Sequence, residues 1–262
     1  MLRVASLRFS LKLSGPLVSL TASFNSFKEY PHMQSDYQVA SSAGSSVALG
    51  AHKVLRNTYM LLGLTMVPTV IGALVGMTMN FTWAAQHPIM FTLGSLALMF
   101  GLFMGISANR NSSLGVVLLL LLTGLMGMML GPILQVAMHL RNGGQLVAMA
   151  AGGTGIIFMT LAGIATTSKK DFSFLGNFLM IGLILLIVAS LANLFFQIPA
   201  LSLAMSGVAV LLFSGFILYD VSRIVQGGET NYVMATLAIY LDIYNLFVNL
   251  LQLLMALMGE RD

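Results

Sequence analysis

The sequence predicts an all-α membrane protein, a bundle of seven transmembrane helices, on three observations. Only 8% of its 262 residues are charged, where a soluble domain carries about 25%. Mean hydropathy is +0.92. The apolar residues gather into seven segments, each near the ~20 residues that a membrane span requires.

The first segment covers about 57–79, after Lys53 and Arg56. The second covers about 88–107, and Pro88 suits the first position of its helix. The third covers about 114–138, where Gly131-Pro132 should bend it. The fourth to seventh cover about 145–167, 174–196, 200–222 and 232–258. Together they make one membrane domain, residues 53–262.

Residues 1–52 are different in kind. They are rich in Ser, and Arg3, Arg8 and Lys12 precede the first acidic residue, Glu29. Ser41-Ser42-Ala43-Gly44-Ser45-Ser46 reads as linker. A flexible tail is expected, with two alternatives for residues 1–32: a mitochondrial transit peptide, which is likewise basic and acid-poor, or an extension preceding a true start at Met33.

Lys53, Arg56, Arg110, Lys169, Lys170 and Arg223 fall on one side of the seven segments, and Arg141 and Arg261 on the other. The positive-inside rule then puts the N-terminus in the cytoplasm, or in the matrix if the membrane is mitochondrial. If the seventh segment is re-entrant, the C-terminus returns to that same side.

Several function classes fall away. The chain has no cysteine, which removes disulfides, thiolate metal sites and thiol nucleophiles. Its basic residues are scattered over the connections, so membrane lipid rather than nucleic acid is the expected surround. His32, His52, His87 and His139 share no ligand spacing. Gly152-Gly153-Thr154-Gly155 lacks the Lys-Ser/Thr ending of a phosphate loop. No Ser, His and Asp converge, so no enzyme and no resident cofactor are expected. Gly72 and Gly76, Gly101 and Gly105, and Gly127 and Gly131 are spaced for close helix packing in lipid. Nothing in the sequence specifies an oligomeric state.

The chemistry concentrates in the last two segments. The sixth ends in Leu218-Tyr219-Asp220, and the seventh carries Asp242. An acidic residue at membrane depth costs about 2.5–3.5 kcal/mol on insertion scales. A short turn joins the two segments, so they are antiparallel neighbours and their carboxylates can meet. Two carboxylates in a low dielectric resist double ionisation, so the pair is expected to keep a proton near neutral pH. It would act as a proton-dependent latch, or as oxygen ligands for a hard cation such as Ca²⁺. Two plainer readings stand beside this: Asp220 as an ion pair with Arg223 three residues on, and Asp242 as a polar clamp between helices.

At these residues the chain resembles the Bax inhibitor family. Leu218-Tyr219-Asp220 and Tyr240-Leu241-Asp242-Ile243-Tyr244-Asn245-Leu246-Phe247 carry the resemblance. Lys169-Lys170-Asp171-Phe172-Ser173-Phe174-Leu175 and Gly131-Pro132-Ile133 agree with it. His52-Lys53-Val54-Leu55-Arg56-Asn57-Thr58-Tyr59 and Gly227-Gly228-Glu229-Thr230-Asn231-Tyr232 look like its bacterial YccA branch. The resemblance covers about residues 50–262 and leaves out 1–32, which favours a tail or a displaced start over a transit peptide. It implies six helices around a central C-terminal one, in the bacterial inner membrane. For the YccA branch it implies association with FtsH, the membrane-bound ATP-dependent protease. For other members it implies a pH-gated calcium leak, with Asp220 and Asp242 sensing protons. In those members an arginine cluster closes the latch. Here Arg110 alone stands at that place, with Arg223 as the other candidate partner.

Overall fold

The computed structural model describes the backbone of residues 31–168 and 170–260 and most side chains from residue 50 onward. Residues 1–30, within the expected N-terminal extension, lie outside the described residues, as do Lys169, Arg261 and Asp262. The chain divides into two units, Met1–Ala43 and Gly44–Asp262. In the first, the described residues are helical. The second holds the bundle.

The described residues form nine helices: α1 (Pro31–Thr78), α2 (Thr82–Gln86), α3 (Pro88–Ala108), α4 (Ser113–Met129), α5 (Gly131–Met138), α6 (Gly143–Thr167), α7 (Leu175–Phe196), α8 (Pro199–Val225) and α9 (Tyr232–Met258). Residues 31–52, expected as tail, are the opening part of α1. Pro31 fits a first helical turn, and no second proline follows before Pro68. Seven helical segments are long and apolar enough to cross a membrane, and their bounds follow the seven predicted segments closely. The third of them, Ser113–Met138, is α4 and α5 together. It breaks where expected, because Pro132 has no N–H to offer the preceding turn.

Glycine brings α1 and α4 into backbone contact. A Cβ at Gly72 would run into the Gly124 carbonyl, and one at Gly127 into the Thr69 carbonyl. At Gly131 it would strike Gly76. Without a hydrophobic force between helices in lipid, this close approach is what holds them together. Gly101, although spaced like the others, faces open space. The carbonyls at and just past the end of α1 are met from α5: the Gln135 side-chain amide donates to Gly76, Met77 and Met79 at 3.2, 3.1 and 2.9 Å.

Helix α9 is the axis. From Val233 to Asp242 none of its residues is exposed. The Thr236 hydroxyl reaches the Thr58 carbonyl in α1 at 3.4 Å, and the Tyr244 hydroxyl reaches Met126 in α4 at 3.1 Å. Gly153 in α6 lies against Leu250. Ser206 in α8 donates to the Gln252 side chain at 2.8 Å. Helix α7 forms an outer layer, packed chiefly on α8, where Leu179 fills the space left by Gly215.

Candidate functional site

The site begins with the turn between α8 and α9. Gly227 takes φ of 77°, a left-handed conformation that costs glycine nothing. The Gly228 N–H closes the end of α8 on the Arg223 carbonyl at 2.8 Å. Asn231 then caps α9, its side-chain oxygen accepting from Val233 and Met234 at 3.0 and 3.1 Å. Eight backbone N–H and C=O ends are thereby largely satisfied at one tight corner.

That corner sets Asp220 and Asp242 facing each other. Asp220 lies five residues before the end of α8, and Asp242 lies ten residues into α9, so by ~1.5 Å per residue their backbones differ in depth. Side chains lean toward the N-terminus of their helix. In α8 that direction is away from the turn, and in α9 it is back toward the turn. The two side chains therefore converge, and their carboxyl groups are close enough to interact. An ionised carboxylate only accepts, so a hydrogen bond between the two would need one proton.

The surroundings are unequal. Asp242 is buried, with 6% of its surface exposed. Its Oδ2 is buried with no hydrogen-bond partner. Asp220 has the Arg223 guanidinium 3.8 Å away. Arg223 is held more closely by Glu229, at 2.8 Å, and stands over the Tyr219 ring with 6.0 Å to its centre. Glu229 in turn accepts from the Asn231 backbone at 2.9 Å.

Of the four expected residues, the structure brings together Asp220, Asp242 and Arg223. Arg110 stands apart: its side chain is exposed and makes no ion pair among the described residues. Its backbone carbonyl is what the site uses, accepting from the Asn231 side chain at 3.0 Å. Among the described residues no three His, Asp or Glu side chains converge. A calcium ion at the pair would need carbonyl and water oxygens to complete its six to eight ligands.

Sequence reasoning did not single out Glu229, Asn231 or Tyr240. The first two sit in the Gly227-Gly228-Glu229-Thr230-Asn231 turn, where an Asn just before an apolar run is a capping signal. Tyr240 carries no such signal. Its hydroxyl pairs with Thr69 far away in sequence, at 2.9 Å.

Comparison with known proteins follows the same lines. A family model described as inhibitor of apoptosis-promoting Bax1 matches residues 51–259. The modulator of FtsH protease YccA of Escherichia coli strain K12 is 40% identical over 220 residues, 84% of this chain and 97% of that protein. A protein described as inner membrane protein YccA, from Escherichia coli O6:H1, gives the same values, 40%, 84% and 97%. A membrane protein of Vibrio cholerae is 45% identical over 214 residues, 82% of this chain and 93% of that one.

Proposed function

The chain belongs to the Bax inhibitor family, and from that membership we propose that it is a multi-pass inner-membrane protein that binds and modulates the FtsH protease. The observation that carries this reading is the likeness to the Escherichia coli modulator YccA, 40% identical with 97% of that protein covered. Its role is binding rather than catalysis. The N-terminus lies in the cytoplasm, by the distribution of Lys and Arg. There it is within reach of a protease that engages exposed segments.

The carboxyl pair gives the bundle a proton-dependent state. With one proton, Asp242 donates to Asp220, and α8 and α9 are joined below their turn. Without it, two carboxylates face each other in a dry interior and repel. The two states present different faces to a partner. The test is co-purification of FtsH with the full chain, together with the turnover of other FtsH membrane substrates when the chain is overproduced. Association and slowed turnover are expected. Neither being seen overturns the reading.

A second reading is favoured by the pair itself: a calcium leak through the bundle, gated by protons. Its sign follows from the repulsion just described. Flux into liposomes rises with pH, and Asp242→Asn, which stays neutral, abolishes that dependence. Flux indifferent to both changes removes this reading.

A further inference from the structure

A file of amides runs along the central helix from Asp242 toward its far end. Asn245, Asn249 and Gln252 follow Asp242 in α9 at steps of three, four and three residues. At ~100° per residue the four fall within one arc of ~80°. That arc meets α8 at both ends of the file: Asp242 faces Asp220, and Gln252 accepts from Ser206 at 2.8 Å. Asn245 and Asn249 lie between, half-buried, and Gln252 is exposed. On the other flank of the file, Val248 packs with the cluster of Leu130 and Leu134. Helix α8 packs chiefly on α6, α7 and α9, so a cleft separates it from α4 and α5, with the amides on its floor.

These amides are only partly used. Asn245 donates to the Leu241 carbonyl and Asn249 to the Asn245 carbonyl, both at 2.8 Å. Each keeps a second N–H and both lone pairs of its oxygen, and among the described residues nothing donates to either oxygen. At membrane depth such groups are costly, and they face a polar partner or a water-filled cavity. Helix α8 offers no partner at this level: Phe213 and Ile217 pack there around Leu246. Water is what remains to satisfy them.

The file also has a direction. Between Asp242 and the turn, the same arc of α9 carries Leu241, Ala238, Ala235 and Met234, all apolar. Arg223 stands on that side, 3.8 Å from Asp220, and a fixed cation opposes the entry of another. Toward the far end, α9 has no charged residue from Ile243 to Met258. The charged groups that face Asp242 come from α8 alone, as Asp220 and Arg223, with Glu229 of the turn paired to the latter. Helix α1 beyond Arg56, and α3, α4, α5, α6 and α7, carry no Asp, Glu, Lys, Arg or His.

We propose that Asn245, Asn249 and Gln252 line a water-filled half-path through which protons reach Asp242 from the membrane face opposite the α8–α9 turn. The path is wet as far as Asn245. The last step, ~4.5 Å along the axis, is dry: Asp242 has 6% of its surface exposed and Leu246, one turn on, is fully buried. An apolar constriction of this kind gates by wetting and dewetting. When it wets, a proton passes from water to a carboxylate oxygen, and it leaves by the same route. This deepens the proton-dependent state proposed above, rests on it, and gives it a side.

The absence of cysteine makes the test direct. Asn245→Cys, Asn249→Cys and Gln252→Cys are treated in oriented vesicles with a charged, membrane-impermeant methanethiosulfonate, applied to one face at a time. Ala238→Cys, on the turn side of Asp242, and Leu185→Cys, on the exposed face of α7, are controls. Labelling at Asn249 and Gln252 is expected to be at least tenfold faster than at either control, and only from the face opposite the turn. The second measurement is the infrared band of the protonated carboxyl as the medium is changed to deuterium oxide. Its slow exchange is expected to slow at least tenfold further in Asn249→Leu and to stay near that of the unmodified chain in Asn249→Ser. Labelling at Asn249 no faster than at Leu185, or faster from the turn side, overturns the path, as does exchange that Asn249→Leu leaves unchanged; either result leaves the proton-dependent state standing if the band is present. A band missing from the unmodified chain overturns that state and this inference together.

Discussion

The Tyr240 hydroxyl lies 2.9 Å from the Thr69 hydroxyl, tying the central helix to α1 across 171 residues of sequence. The same hydroxyl is 3.3 Å from the Thr123 carbonyl in α4. Three helices meet at one oxygen. Removing it by Tyr240→Phe leaves Thr69 its bond to the Thr65 carbonyl at 2.8 Å, so little is orphaned. The expected loss is about 1 kcal/mol, read as a lower melting temperature in detergent. A Thr69→Val change on top of Tyr240→Phe should then add less than it does alone.

The glycines divide into two kinds, and substitution tells them apart. Gly127→Ala places a methyl against the Thr69 backbone, where no side chain can yield. The helices must separate, at a cost of up to about 3 kcal/mol. Gly101→Ala meets nothing within 4 Å and should gain up to about 1 kcal/mol from helix propensity. Melting temperatures of the two variants should move in opposite directions.

Asn231 has two tasks that substitution can separate. Asn231→Ala removes the cap of α9 and should cost about 1–2 kcal/mol. Asn231→Asp keeps the oxygen that caps the helix but loses the side-chain N–H bonds to the Arg110 carbonyl and the Asn111 side chain, at 3.0 and 2.8 Å. Its stability should fall between that of the unmodified chain and that of Asn231→Ala, by chemical or thermal unfolding.

Asp171, in the connection before α7, is held below the usual carboxylate range by hydrogen bonds from the Ser173 side chain and backbone; the backbone bond measures 2.8 Å. A carboxyl depressed by folding stabilises the fold above its unfolded pKa. That contribution is lost as pH falls through the folded value. Ser173→Ala should move the Asp171 titration upward, measured by NMR on selectively labelled Asp.

Much of this architecture was legible in the sequence, because a bilayer demands unbroken apolar runs of fixed length. The bend at Gly131-Pro132 was legible for the same kind of reason, since a proline cannot donate. The meeting of Asp220 and Asp242 followed from a short turn between antiparallel helices. Other features were not local and left no trace in spacing. Glycine spacing marks a face of a helix but not whether a neighbour covers it, so Gly101 looked like Gly72. Glu229 was hidden because its partner, Arg223, belongs to the preceding helix. Lys53 and Arg56, which the sequence placed before the first segment, are carried on α1 itself. Long basic side chains reach the interface from there without ending the span.

The proton-dependent state proposed for the bundle turns on one proton held between Asp220 and Asp242. Infrared spectroscopy of the chain in liposomes at neutral pH measures it directly. A protonated carboxyl band that resists exchange with bulk water is predicted for the unmodified chain and should vanish in Asp242→Asn. A spectrum containing only ionised carboxylates, unchanged by that substitution, would contradict it.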